Sequence, residues 1–246
     1  VNILQDSLKP NPLYEVPVLP PIPKDSYVLL NIPMDKETPG GRLLRPQAMV
    51  QEHLISNWVN TVAYRMDLQK GRSKNEFERE EERKRFESVI NFYGKDKLKL
   101  IVTDSQAMDL VHPWTCNVPQ QTQQPTPVPK YNITTFSILM INYMTGGKLV
   151  KFVDAIEAFK NLKKGDKVLI CEACNHNRII DDIGTVQIPA KINKFFGANE
   201  IQIDFSFGRD YQSKNISEYE LLIHCGGCMI DKQKMNARIM DLEASG

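Results

Sequence analysis

The chain alternates short apolar runs with longer amphipathic stretches. Residues 27–32, YVLLNI, form a compact apolar run of the length a buried strand needs. A turn is expected at Gly40-Gly41. A helix over 47–58 then follows Pro46, whose fixed φ and missing N–H suit a first helical turn. Residues 59–64 and 99–102 read as two further strands. Between them, 72–87 is dense in Glu, Arg and Lys with Phe77 and Phe86 as its main apolar points, which predicts a largely solvated helix. Strand, helix, strand, helix, strand implies a parallel sheet covered by helices.

The second half repeats the pattern. Helical spacing is expected over 134–143 and 149–162, the latter with Phe152, Ile156 and Phe159 on one face. Gly165-Asp166 turns the chain into a strand at 168–170. A helix over 188–196 opens at Pro189, strands follow at 201–205 and 221–223, and 229–240 reads as a last helix. The expected fold is therefore α/β: two small domains with mainly parallel sheets flanked by helices. Six prolines fall in the first 25 residues, and residues 117–130 are rich in proline and glutamine with few apolar side chains. These stretches divide the chain into a proline-rich linker (1–25), a first domain (26–115), a Pro/Gln-rich loop or linker (116–132) and a second domain (133–246).

Composition narrows the picture. A formal net charge of +1 gives no polycationic face for nucleic acid and no anchor for a membrane surface. No apolar run approaches the roughly 20 residues of a membrane span, and no signal peptide pattern opens the chain, so an intracellular protein is expected. Val1 in place of Met points to processing or to a fragment. Five cysteines, an odd number, argue against a secreted disulfide framework.

Four of those cysteines and two of the four histidines lie in two short stretches, Cys171-Glu-Ala-Cys174-Asn-His176 and His224-Cys225-Gly-Gly-Cys228. Thiolates and imidazoles are the ligands of zinc and of iron-sulfur clusters. Each stretch follows an apolar run, so both fall at the carboxyl ends of predicted strands, where open α/β sheets bind ligands. A whole helix and strand separate Cys174 from Cys225, far more than the roughly 15–20 residues inside a zinc ribbon, so the site is one that tertiary folding must assemble. Gly226-Gly227 would let backbone N–H groups approach a cluster or an anion. Cys171 ends an apolar run and reads as a packed core thiol. Cys116, His53 and His112 read as bystanders, and Arg209-Asp210 as a loop ion pair. No Ser-His-Asp arrangement, paired-carboxylate motif or HExxH is present.

These residues resemble a known family. Cys174-x-His176 followed by His224-Cys225-x-x-Cys228 is similar to the C-x-H and H-C-x-x-C signature of HydF, the FeFe-hydrogenase maturation GTPase. DKETPGGRLLRP at 35–46, VTDSQA at 102–107, TFSIL at 135–139 and DDIG at 181–184 also look like that family, so the resemblance spans about 27–240. It implies that 26–115 is a dimerisation domain and 133–246 an iron-sulfur cluster-binding domain. It further implies a scaffold or carrier that binds a 4Fe-4S cluster through Cys174, Cys225 and Cys228, with His176 or His224 at or near the fourth position. The cargo would be a diiron precursor built with radical-SAM maturases and delivered to the FeFe-hydrogenase apoprotein by a homodimer or higher homo-oligomer. The family's GTPase domain is not in this chain: no G-x-x-x-x-G-K-[ST] loop occurs, so no GTP binding and no enzyme activity are expected of it. A cytoplasmic location is expected, or an organelle matrix such as a hydrogenosome or plastid. Two other readings stay open on the residues themselves: a structural zinc-binding α/β interaction module and a small iron-sulfur redox protein.

Overall fold

The computed structural model describes residues 16–34, 41–117, 128–172, 183–208, 214–225 and 230–245. Its elements are those of an α/β protein with two parallel sheets and helices against them. The first sheet takes β1 (Tyr27–Asn31), β2 (Asn60–Tyr64), β3 (Leu98–Thr103) and a short strand at Ile133–Thr135, in the spatial order β2, β1, β3, Ile133–Thr135, all parallel. Val28, Leu29 and Leu30 are fully buried because β1 is a central strand with helices on both faces. At its carboxyl end Asn31 Nδ2 donates to Thr103 Oγ1 at 2.9 Å, clasping β1 to β3.

One face of this sheet is covered by α1 (Arg45–Ser56), which the Pro46 signal located, together with Val18 and Leu19 from the proline-rich stretch. Its other face is covered after the short α2 (Leu68–Gly71) by α3 (Glu76–Lys97), through Phe86 and Ile90. The charged segment is longer than its composition predicted. It runs on to Lys97 across Gly94, whose φ of 65° and ψ of 170° kink the helix. Phe77 is exposed as expected of a solvated face, whereas Phe86 is buried. A helix the pattern did not reveal, α4 (Met108–Thr115), carries Pro113 inside it and packs Leu110 and Val111 against the same core. Two short antiparallel strands, β4 (Cys116–Asn117) and β5 (Val128–Pro129), follow it, and the Ile133–Thr135 strand is thus β6.

Residues 134–143, expected as one helix, divide at Thr135. The β-branched Ile133, Thr134 and Thr135 extend as β6, and Thr135 Oγ1 then caps α5 (Phe136–Met144) by accepting from the Ile138 N–H at 3.1 Å.

The second sheet is smaller. It comprises β7 (Lys167–Glu172), β8 (Gln202–Phe207) and β9 (Leu221–Cys225), parallel and ordered β8, β7, β9. On one face Val168, Ile170, Leu221 and Ile223 pack against α6 (Leu149–Lys160) through Ala155 and Phe159, and against α7 (Ile188–Phe196) through Ile192. On the other face Leu169 and Cys171 meet Ile216, Tyr219 and Leu222. A final helix, α8 (Lys232–Ser245), sends Met235 and Ile239 to Met140, Ile141 and Met144 of α5, joining the second half of the chain to the first.

Candidate strand-edge metal site

The central strand fixes the geometry of the candidate site. Val168, Leu169, Ile170 and Cys171 of β7 are all inaccessible to solvent, so both faces of this strand are packed and its end cannot shift without disturbing the core. Each fully buried Val, Leu or Ile contributes about 1.5–3 kcal/mol to holding it there. The amino end is tied separately. The Lys167 N–H donates to Glu220 at 2.8 Å, and Lys167 Nζ lies 3.1 Å from Glu218. On β8, Asp204 accepts from the Tyr219 hydroxyl at 2.9 Å, and burial, with that carboxylate, pushes the Tyr219 phenol up to about 12.

At the carboxyl end the three strands finish level. Glu172 of β7 is in register with Phe207 of β8 and with Cys225 of β9; Cys171 is in register with Ser206 and His224. The two cysteine-histidine stretches therefore leave adjacent parallel strands at the same edge of the sheet. Cys225 is the last residue of β9 and His224 the one before it. Cys174, His176 and Cys228 lie outside the described residues, as do Arg209-Asp210 and Gly226-Gly227. Their tethers are short: Cys174 is two positions beyond Glu172 and Cys228 three beyond Cys225, at most about 7 and 11 Å of fully extended chain. Among the described residues no group of three or more His, Cys, Asp or Glu converges.

Strand alternation separates the remaining candidates. Cys171 and His224 share the face of Leu169 and Leu222, while Cys225 falls on the register of Ile223 and the opposite face. Cys171 is 0 % exposed. Burial pushes its thiol up to about 11, against the opposing pull of the Arg238 and Lys214 charges. Its side chain is packed among Leu169, Ile216, Tyr219 and Leu222 and closed to solvent.

His224 is held by a residue the sequence pattern did not single out. Arg238 of α8, only 8 % exposed, places Nη1 2.7 Å from His224 Nε2 and Nη2 3.1 Å from the Gly208 carbonyl oxygen. A guanidinium has no acceptor, so Nε2 accepts and the imidazole is neutral with its proton on Nδ1. Ligation through Nε2 would require displacing the arginine. The available signal was position: Arg238 sits three residues after Met235 and one before Ile239, on the buried side of an amphipathic helix. Ser206 was also missed. Among the described residues its buried hydroxyl has no hydrogen-bond partner, and it completes a row across the sheet of Ser206, Cys171 and His224.

The other cysteine and histidines lie elsewhere. Cys116 Sγ is 3.6 Å from His112 Nε2 at the end of α4, and His53 is in α1, its imidazole pushed below the usual range by partial burial.

The level ends of β7 and β9, with thiol-bearing segments leaving both, are the features that the sequence resemblance ties to one family. Residues 150–246 match the hydrogen maturase F tetramerization domain. The resemblance drawn from the C-x-H and H-C-x-x-C motifs is borne out over this segment, which contains all five candidate ligands. The tetramerization domain covers nearly all of α6 and the whole of the second sheet, α7 and α8. Its presence connects the chain with hydrogenase maturation and with homo-oligomeric assembly. Comparison with curated proteins finds none that matches the chain. Among the described residues no helix is long and apolar enough to cross a membrane.

Proposed function

We propose that this chain is a scaffold that holds a 4Fe-4S cluster at the carboxyl edge of its second sheet during hydrogenase maturation. The observation that carries this reading is the pairing of Glu172 with Cys225, which brings the exits of both cysteine-bearing segments to neighbouring strand ends. The donor set fits the group. With Cys171 packed in the core, three thiols remain for the edge, Cys174, Cys225 and Cys228. Three thiolates leave one iron without a cysteine ligand, and the cluster would supply there an exchangeable position for a cargo group. His176 and His224 are the side chains nearest in sequence to that position. In the neutral form Arg238 enforces, His224 adds no charge to the edge.

What the remaining residues do follows from the fold. The buried β7 fixes the origin of the Cys174 tether, β9 that of Cys225 and Cys228, and Arg238 anchors the penultimate residue of β9 to α8. On this reading the cargo is a diiron precursor, the suppliers are radical-SAM maturases and the recipient is the FeFe-hydrogenase apoprotein. The chain itself is a carrier without catalytic activity, and any GTP-driven step belongs to a nucleotide-binding domain that residues 1–246 do not contain.

The test is anaerobic reconstitution with iron and sulfide, with iron and zinc counted per chain and the reduced protein examined by electron paramagnetic resonance. Four irons and a signal that shifts when imidazole is added are the expected result, and Cys225→Ala should abolish both. One colourless zinc per chain that resists chelation would establish the structural zinc module in its place. A four-iron signal that survives Cys225→Ala would refute the ligand assignment.

A further inference from the structure

The candidate metal edge belongs to the second sheet, but the first sheet has a carboxyl edge of its own. From β1 the chain crosses to β2 on one side and then to β3 on the other, so the strand order reverses between β1 and β3. Open parallel sheets bind ligands at such a switch point, beyond the carboxyl ends of the strands. Asn31 and Thr103 are the last residues of these two strands and lie in register. Both are fully buried, and Asn31 Oδ1 has no hydrogen-bond partner among the described residues, a kind of acceptor that native interiors rarely leave unmatched. Two residues beyond Thr103 the chain reaches Ser105, on the wall of a cleft of about 690 Å³. That volume is in the range of small-molecule sites.

The cleft draws its walls from both halves of the chain. Ser105, Gln106 and His112 come from the turn at Ser105–Ala107 and from α4, and Gln187 and Lys191 come from the start of α7. Two charges on the wall cancel. Arg72, just past α2, forks onto Asp109 with Nε 3.0 Å from Oδ2 and Nη2 2.9 Å from Oδ1, and Nη2 also donates to the Gln106 carbonyl oxygen. Lys191 then sets the charge of the cleft, because it is exposed and has no acidic partner among the described residues. Lys194, one turn further along α7, likewise has none and adds to the same sign. The uncharged side chains on the wall, two carboxamides and a hydroxyl, can each donate and accept. We infer that this cleft binds a small molecule carrying an oxyanion, a phosphate or a carboxylate, with the oxyanion on Lys191 and the polar remainder against Ser105, Gln106 and Gln187. The inference rests on the edge of the first sheet and on the cleft, and it does not depend on the cluster.

Isothermal titration of the purified chain with inorganic pyrophosphate, and separately with succinate, tests it. At least one probe should bind saturably, one per chain, with a dissociation constant below about 1 mM, and which of the two binds tells a phosphate site from a dicarboxylate site. Lys191→Ala should raise that constant at least about 10-fold, as loss of a charge-assisted hydrogen bond does, while Lys191→Arg should keep most of the affinity. Gln106→Ala, on the wall contributed by the first half of the chain, should raise it about 5-fold. Far-ultraviolet circular dichroism should be unchanged by the Lys191 substitutions, because that side chain is exposed. Lys163→Ala, at an exposed lysine that does not line the cleft, should leave the constant unaltered. Binding of neither probe overturns the inference. So does binding that Lys191→Ala does not weaken, or that Lys163→Ala weakens equally, which would reduce the effect to general surface charge.

Discussion

Glu82 carries the sharpest stability prediction in the first domain. It is a carboxylate 2 % exposed on a helix that is otherwise mostly solvated. Its Oε1 accepts from the Tyr64 hydroxyl at 2.8 Å, from the Asp67 N–H at 3.0 Å and from Arg85 Nη2 at 2.8 Å, and its Oε2 accepts from Arg85 Nε at 2.9 Å. Glu82→Ala leaves a buried hydroxyl and a backbone N–H without an acceptor, each costing about 1–3 kcal/mol. Arg85 is half-exposed and rehydrates, so its lost pairing adds at most about 1 kcal/mol. These losses sum to about 2–7 kcal/mol, with about 3–5 kcal/mol as the middle of that range. Glu82→Gln keeps an acceptor for Tyr64 and Asp67 but removes the charge and turns the oxygen that accepts from Arg85 Nε into an NH2 donor, which should cost about 1–2 kcal/mol because Arg85 is half-exposed and rehydrates. Urea unfolding at neutral pH measures both, and a slope of about 2 kcal/mol/M would turn the alanine value into a midpoint shift of about 1.5–2.5 M. The same network predicts an alkaline limb. Burial, reinforced by Glu82, raises the Tyr64 phenol above its ordinary value of 10.0. The unfolded chain therefore loses its proton first, and stability present below pH 10 declines as pH rises beyond it. Tyr64→Phe should flatten that decline. Equal costs for the alanine and glutamine variants, or a cost below about 1 kcal/mol for alanine, would refute the assignment of the stabilisation to satisfied buried donors.

Two further predictions concern the sheet edge. Cys171 should be unreactive toward Ellman's reagent in the folded chain and react only at the rate of unfolding; Cys171→Ala should cost about 1–2 kcal/mol through the lost packing and leave the reconstituted iron content unchanged. Arg238→Met should cost about 2 kcal/mol in urea unfolding, because His224 Nε2 and the Gly208 carbonyl both lose a charged donor, and the 15N shifts of His224 should report loss of the single Nδ1–H tautomer. Arg238→Lys restores a donor without the two-pronged geometry and should recover only part of the tautomer bias.

The elements most legible in the sequence were those where one signal dominates. The run at 168–170 reads as a buried strand because it has no polar position, and Pro46 and Pro189 locate the starts of α1 and α7. Legibility failed where two signals compete. Ile133 to Thr135 continues without a break into the apolar α5, so periodicity alone cannot find the boundary that the Thr135 cap creates. In α4, Pro113 hid a short helix that tertiary packing of Leu110 and Val111 stabilises. At the candidate site, spacing identified Cys225 and His224 and placed them at a strand end, and it read Cys171 as a core thiol. Arg238 was invisible to spacing because its role depends on how α8 lies over the sheet, a contact between residues 14 positions apart on different elements.

The inner side of α6 and the candidate metal edge share one core. Ala155 and Phe159 on the inner side of α6 pack in the same cluster as Val168 and Ile170 of β7 and Ile223 of β9, the strands whose ends define the edge. The position of α6 therefore bears on those strands through close-packed side chains and not through a loop. The opposite face of the sheet is governed differently. There Arg238, on a helix whose Met235 and Ile239 pack onto α5, holds His224 in place. The edge thus receives its two sides from different sources: the Cys225 face from the core that α6 and α7 complete, and the His224 face from the helix that joins the two sheets. An arrangement of this kind fixes the strand ends from both faces, as the proposed holder of an exchangeable group requires.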